Sequence, residues 1–158
     1  LIGFNKQMKY NIFEAFLHLG RFGKIEQVFK EKAYAILEEL GIAEFAYEKA
    51  TSLSYGQQRK VEIARAMATQ PRLLLLDEPA AGMNSSESDE LAELIFKLRK
   101  DYKISVLLIE HDMKFVNKLC DRVLVLDYGK TIFEGKLCDA VNHKEVIAAY
   151  LGDFDANS

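Results

Sequence analysis

The sequence has 158 residues, which is enough for one domain and too few for two of ordinary size. Its composition, 49% hydrophobic and 28% charged, is that of a globular protein, and the net charge of −3 lacks the positive surplus that nucleic-acid binding requires. The longest aliphatic runs are far shorter than the roughly 20 residues that cross a bilayer, so we expect any membrane association to go through another protein.

The first part of the sequence predicts helices. Residues 1–23 carry scattered aromatic side chains and glycines and predict short helical pieces joined by loops. In residues 24–40 the apolar side chains recur at steps of three and four, which is the spacing of one helix face. Gly41 follows this run and is expected to cap the helix at its C-terminus.

A second helix is predicted at residues 54–70, after a short linker. Ser54 and Gln57 have the spacing of a capping box, in which each side chain accepts a hydrogen bond from the backbone of the other residue. Pro71 opposes continuation of the helix, because the residue before a proline disfavours helical backbone.

The second part of the sequence predicts alternating strands and helices. Three apolar runs have the length and composition of strands that are buried on both faces of a sheet. They lie at residues 73–76, 106–109 and 123–126, with helical stretches at 87–100 and 112–120 between them. This order predicts parallel crossovers in an α/β sheet.

The chain is predicted to end in a hairpin and two short helices. A turn at Asp127-Tyr128-Gly129-Lys130 leads into a strand at residues 131–134, and helices follow at 137–142 and 144–151. The tripeptide that begins at Gly129 also matches the end of the phosphate-binding P-loop, GxxxxGK[ST]. Leu124 stands where that loop needs its first glycine, however, so no P-loop is present in these residues.

The strongest chemical signal is the pair Asp77 and Glu78, directly after the leucine run and before Pro79. A strand that ends in two adjacent carboxylates delivers them to the carboxyl edge of the sheet, where α/β proteins bind ligands. One carboxylate can hold water on Mg²⁺ while the other orients or deprotonates an attacking water. A strand followed by an ordinary acidic turn is the alternative interpretation.

Two further groups are candidates for contact with phosphate. The first candidate is a helix start formed by Ser54, Tyr55, Gly56 and Gln57, which presents free N–H groups and the positive end of the helix dipole. An ordinary capping box has the same pattern and is the alternative interpretation. His111 follows the second predicted strand and is expected at the same sheet edge as the two acids. A polar surface histidine is the alternative there.

Over essentially the whole chain, the sequence resembles the ATP-binding subunits of ABC transporters. The resemblance rests on three segments in this order: Leu53-Ser54-Tyr55-Gly56-Gln57, then Leu73 to Pro79, then His111. The resemblance implies an α/β fold of the P-loop NTPase (ABC ATPase) class, with a helical subdomain at about residues 1–70 and part of the ATP-binding core at about 71–158. It implies that Glu78 acts as the general base or water-orienting acid, that Asp77 supports Mg²⁺, and that His111 contacts the γ-phosphate.

The same resemblance assigns Ser54, Tyr55, Gly56 and Gln57 to the signature motif, which contacts ATP held by the opposite subunit of a head-to-tail dimer. Asn84 falls in the D-loop and also lies near the nucleotide. Tyr55 stands where most of the family has Gly, and Asn84 where it usually has Asp. With these variants the sequence is similar to the ATPases of branched-chain amino acid importers, which use ATP and Mg²⁺ and dock on transmembrane permease subunits at the cytoplasmic face of the membrane.

The family also has a P-loop and a Q-loop upstream of the helical subdomain, and neither motif is found here. The chain begins with Leu1 and is expected to start partway into a longer protein, to leave a strand position empty between the second and third strands, and not to hydrolyse ATP alone. Two other interpretations remain open. In the first the chain is a non-catalytic interaction module, and in the second it is an ABC ATPase that works outside transport.

Overall fold

The computed structural model describes residues 1–4 and 20–151. The helical pieces predicted within residues 5–19 therefore lie outside the described residues. Packing divides the chain into two compact units, Leu1–Ile109 and Glu110–Ser158. The functional division expected near residue 70 is a different boundary and stays a prediction.

Among the described residues, the first unit contains the long helices α1 (Gly20–Glu39), α2 (Tyr55–Met67) and α3 (Ser85–Tyr102). Short 3₁₀ turns accompany them at Ile2–Phe4, Ala43–Phe45 and Ala50–Ser52. The periodic pattern of residues 24–40 thus predicted α1 correctly, and the helix begins a few residues earlier than the pattern does.

The C-terminus of α1 has the predicted glycine cap. Gly41 adopts a φ of +66°, and its N–H donates to the carbonyl of Glu38 at 3.0 Å. The N–H of Ile42 donates to the carbonyl of Leu37 at 2.9 Å. These two bonds form a Schellman motif, which satisfies carbonyls that the end of a helix leaves unpaired and requires a left-handed residue at the glycine.

A small apolar cluster packs the chain start against α1 and the end of α2. Phe4, Phe29 and Ala68 are its buried members, and the rings of Phe4 and Phe29 lie 5.2 Å apart between centroids. Gly3 makes this approach possible, because a Cβ on it would lie 2.4 Å from the carbonyl oxygen of Arg65.

Strands β1 (Leu73–Asp77) and β2 (Ser105–Ile109) pair in parallel, and α3 forms the crossover between them. The register places Asp77 opposite Ile109 at the carboxyl end. Leu74 is buried, whereas Leu75 on the other face is 65% exposed. The expectation of burial on both faces is therefore wrong for this sheet. The apolar run predicted the strand correctly. It did not show whether one or both faces of the sheet are covered by the described residues.

The second unit contains β3 (Val123–Asp127) and β4 (Lys130–Gly135), which pair antiparallel in a separate sheet. The third predicted strand pairs with its hairpin partner inside the second unit, and the strand position expected to be empty between the second and third strands stays a prediction. The turn between β3 and β4 confirms the hairpin, because Tyr128 and Gly129 both have positive φ, as in a type I′ turn.

In the described part of the second unit, short helices precede and follow the hairpin along the chain. They are α4 (Met113–Leu119), α5 (Leu137–Ala140) and α6 (Lys144–Val146), and a π-helical turn follows at Ile147–Leu151. The hydroxyl of Tyr150 donates to the carbonyl of Leu126 at 2.5 Å. This bond ties the final helical segment to β3.

Two glycine substitutions should have opposite effects on stability. Gly3→Ala forces a methyl group into the backbone of α2 and is expected to lower the free energy of unfolding by about 1–3 kcal/mol. Gly23→Ala, inside α1 where a Cβ would meet nothing within 4 Å, should raise it by about 0.5–1 kcal/mol. Urea unfolding of both variants measures the difference. A neutral Gly3→Ala would contradict the close approach.

A hydrogen bond between helix ends gives a prediction about pH. The Tyr102 hydroxyl donates to Glu39 at 2.5 Å, and this bond, then burial, then the charge of Glu39 raise the pKa of Tyr102 from 10.0 to about 12. Since the native state favours protonated Tyr102, the bond's contribution to stability is full below pH 10.0 and is lost as the pH rises through about 12.

The measurement compares wild type with Tyr102→Phe. Subtracting their tyrosinate absorbance curves should leave a component that titrates near pH 12, and the advantage of the wild type in urea unfolding should shrink between pH 10.0 and 12. Tyr47→Phe, at a ring that is 97% exposed, controls for the loss of a tyrosine. A subtracted component that titrates at the ordinary tyrosine pKa would contradict the hydrogen bond.

Candidate functional site

The two acids lie where the sequence predicted them, at the carboxyl end of β1. Asp77 is the last residue of the strand, Glu78 follows it directly, and both residues are exposed. Pro79, in contrast, is buried and anchors the segment that follows. Parallel pairing with β2 therefore presents two carboxylates at the edge of the sheet where α/β proteins bind ligands.

The backbone changes direction sharply at Glu78. Its φ is +42°, a left-handed value that costs a non-glycine residue on the order of 1–3 kcal/mol and persists only where surrounding contacts offset that cost. The N–H of Glu78 donates to the carbonyl of Ile109 at 2.9 Å, which extends the pairing of β1 with β2 by one bond. Such strained residues cluster at functional sites, and here the left-handed residue is the second of the two predicted acids.

Asn84, predicted to lie near the nucleotide, begins helix α3. Its side-chain oxygen accepts from the N–H of Glu87 at 3.0 Å, and Glu87 accepts from the N–H of Asn84 at 3.0 Å. This second capping box was not recognised in the sequence, although Asn followed three residues later by Glu is its usual signal. Asn84 therefore has a demonstrated structural role, and its contact with a nucleotide stays a prediction.

The predicted capping box at the start of α2 is confirmed. Ser54 Oγ accepts from the N–H of Gln57 at 3.3 Å, and Gln57 Oε1 accepts from the N–H of Ser54 at 2.8 Å. Both side chains act here as acceptors, so the Ser54 hydroxyl proton and the Gln57 amide protons are not used by the box. They remain donors for an anion.

The surface around this helix start is open. Tyr55 is 72% exposed, and a Cβ on Gly56 would meet nothing within 4 Å. The N–H groups of Tyr55 and Gly56 lie in the first turn of α2, where N–H groups have no partner within the helix. The segment can therefore receive an anionic group from another molecule, which is the geometry that helix N-termini offer to phosphate.

Arg59 is a residue whose role sequence reasoning missed. Its Nε donates to the carbonyl of Pro79 at 3.1 Å, and its Nη1 contacts Glu62 at 2.5 Å. The contact connects α2 to the segment directly after Glu78. Its acceptor lies 20 residues along the chain, so no local pattern could reveal it.

His111 belongs to the second unit, so its predicted proximity to Asp77 and Glu78 remains a prediction. Its side chain is 72% exposed, and Nδ1 lies 3.7 Å from Oε2 of Glu110. The Glu110 side chain is only 2% exposed and also accepts from the N–H groups of His111 and Asp112. Glu110, which the sequence analysis did not single out, thus fixes the backbone that carries the histidine.

Metal and membrane binding can be examined against the side chains of the described residues. Within residues 1–4 and 20–151, no group of three or more His, Cys, Asp and Glu could hold a metal ion. The site expected at Asp77 is of another kind, because Mg²⁺ in phosphate chemistry usually takes one or two carboxylates together with phosphate and water oxygens. The exposed pair Asp77 and Glu78 fits that kind. Over the same residues, no helix is both long and apolar enough to span a membrane.

Comparison with known proteins shows what this chain is similar to. The profile of the family described as "ABC transporter" matches residues 4–81. The chain is 42% identical over 153 residues to the "High-affinity branched-chain amino acid transport ATP-binding protein LivG" of Salmonella typhimurium, and equally to the protein of that description named BraF in Pseudomonas aeruginosa. Each alignment covers 97% of this chain and 60% of the relative. A "Phosphonates import ATP-binding protein PhnC" of Treponema denticola is 37% identical over 130 residues, 80% of this chain and 51% of the relative.

Solved structures show the same likeness. An ATP-binding cassette of an ABC transporter in its ADP conformation superposes with a TM-score of 0.76 and 28% identity, over 96% of this chain and 61% of that one. A second structure of such a cassette gives a TM-score of 0.70 and 33% identity, over 76% and 49%. The chain spans about 60% of the length of LivG and BraF. The family match at residues 4–81 and the likeness in sequence and fold identify the chain as part of an ABC transporter family protein.

Proposed function

We propose that this chain is part of the ATP-hydrolysing subunit of an ABC importer that takes up branched-chain amino acids. The observation that carries the proposal is the pair Asp77 and Glu78 at the carboxyl end of β1, in a chain 42% identical to LivG over 153 residues. The transported class, branched-chain amino acids, is proposed from the names of LivG and BraF. The reaction, ATP hydrolysis, is proposed from the positions of the two acids.

Asp77 and Glu78 divide the acid chemistry between them. Asp77, at the strand end, would hold Mg²⁺ through its carboxylate or a bound water, and the ion would neutralise phosphate charge when bound. Glu78 follows the strand end with a positive φ, and its exposed carboxylate is suited to orient or deprotonate the attacking water. We assign His111 to the γ-phosphate, with its backbone held by Glu110.

The start of α2 serves a second nucleotide. Ser54, Tyr55, Gly56 and Gln57 form an exposed helix N-terminus with unused donors, which supports a contact with ATP bound by another ATPase subunit. Asn84 lies a few residues after the two acids, and its side chain caps α3. We assign it to the interface between the two ATPase subunits. A head-to-tail dimer, of identical or sister subunits, would then form two composite sites.

The membrane partners are proposed from the relatives. LivG and BraF are described as transport proteins, so we infer that the subunit docks on transmembrane permease subunits at the cytoplasmic face of the membrane. The likeness to PhnC, a phosphonate importer subunit, shows that similar sequences serve different cargo. Because the chemistry proposed for this site is that of a nucleotide, we place the recognition of branched-chain amino acids in other subunits.

Replacing the proposed base should abolish turnover but not nucleotide binding. In the protein expressed from its complete gene, Glu78→Gln is expected to lower steady-state ATP hydrolysis by about 10²–10⁴-fold, because the amide cannot take a proton from water. The affinity for ATP should remain within about twofold of wild type, since Gln keeps the shape of the side chain. Phosphate release and nucleotide titration are the two measurements.

Glu93→Gln is the matched control, because Glu93 is an exposed glutamate of α3 in the same unit. It should leave both quantities unchanged. Hydrolysis by Glu78→Gln at the wild-type rate would refute the role of Glu78.

A second prediction concerns these 158 residues alone. They contain no GxxxxGK[ST] segment, and that loop supplies the lysine and amide groups that cradle the β- and γ-phosphates. Calorimetric titration of the 158-residue chain with ATP and Mg²⁺ should therefore show no micromolar site. Binding of one ATP per chain at micromolar affinity would mean that the described residues cradle the phosphates by another route.

A further inference from the structure

The contact between Arg59 and Pro79 joins the two halves of the proposed chemistry within the first unit. Arg59 lies in α2, in the turn that follows Gln57, and its side chain is 29% exposed. Glu62 holds the guanidinium from one side at 2.5 Å, and Nε reaches the Pro79 carbonyl at 3.1 Å. A guanidinium can serve two acceptors at once because its five N–H donors form a rigid planar fork.

The turn after Glu78 gives this contact its importance. The carbonyl of Glu78 accepts from the N–H of Ala81 at 3.1 Å, and the carbonyl of Ala80 accepts from the N–H of Met83 at 3.1 Å. The Pro79 carbonyl between them accepts from Arg59, a donor outside the turn. The left-handed backbone of Glu78 is thus held on one side by its N–H bond to Ile109 and on the other by a side chain of α2.

We propose that Arg59 is a positioning residue that couples the start of α2 to the Glu78 turn. The inference rests on the proposed function, in which Ser54 and Gln57 contact the nucleotide of one site and Glu78 acts in the other. A movement of α2 when its N-terminus meets a phosphate is carried by the Arg59 fork to the Pro79 carbonyl. One subunit then aligns its own Glu78 when it engages its partner's ATP.

The test uses three variants of the protein expressed from its complete gene. Arg59→Met keeps the apolar stem but removes the donors, Arg59→Lys restores one compact donor group, and Arg65→Met controls for loss of an exposed arginine from the same helix. We expect Arg59→Met to lower kcat by about 10- to 100-fold, because a small displacement of a catalytic group has an effect of this size. The KM for ATP should change little, and the Hill coefficient for ATP should fall towards 1.

Arg59→Lys should give an intermediate kcat, because a lysine reaches either Pro79 or Glu62 but does not span both as the fork does. Arg65→Met should match wild type. The inference is overturned if Arg59→Met keeps the wild-type kcat and Hill coefficient, or if Arg59→Lys is indistinguishable from Arg59→Met. Should Arg59→Met fail to fold, Arg59→Lys decides, and a wild-type kcat and Hill coefficient in that variant overturn the inference.

Hydrogen exchange separates this inference from the proposed function. Amide exchange at Ala81 and Met83 should be faster in Arg59→Met than in Arg65→Met, whether or not ATP is hydrolysed, because the turn has lost its support from α2. If hydrolysis by the wild type does not depend on Glu78, the proposed function is refuted. The exchange rates at Ala81 and Met83 then still decide whether Arg59 supports the turn. Equal exchange in the two variants would refute the coupling alone.

Discussion

The parallel pairing of β1 with β2 is the interaction on which the rest of the proposed site depends. Its register ends with Asp77 opposite Ile109, and the carbonyl of Ile109 then accepts from the N–H of Glu78. The last bond holds Glu78 in a left-handed conformation that a glutamate would not choose alone. Without the second strand, the two carboxylates would be adjacent in sequence but would have no defined directions.

Helix starts are the second recurring device of the first unit. Both α2 and α3 begin with a reciprocal capping box, at Ser54 with Gln57 and at Asn84 with Glu87. The boxes differ in what they leave unused. The box of α2 keeps the Ser54 hydroxyl and the Gln57 amide as uncharged donors, whereas the box of α3 keeps the Asn84 amide beside the carboxylate of Glu87, whose negative charge repels an anion. The start of α2 is therefore better suited to an anion than the start of α3.

The sequence predicted the local elements well because each depended on neighbours along the chain. The Schellman cap at Gly41, the capping box at Ser54 and the hairpin turn at Gly129 all follow from residues within six positions of one another. The face exposure of β1 was predicted wrongly for the opposite reason. Whether Leu75 is covered depends on what packs against the sheet, and four consecutive leucines look the same in either case.

Sequence alone determined the residue types of the proposed chemistry and their order: a serine-glycine helix start, two acids after an apolar strand, and a histidine after the next strand. Only the tertiary structure revealed that Arg59 of α2 reaches the Pro79 carbonyl, and that Glu78 is held left-handed by a bond from the neighbouring strand. The physical reason is that caps and turns form their hydrogen bonds with residues nearby in the sequence. A long side chain such as Arg59 bonds to whichever acceptor the fold brings within its reach.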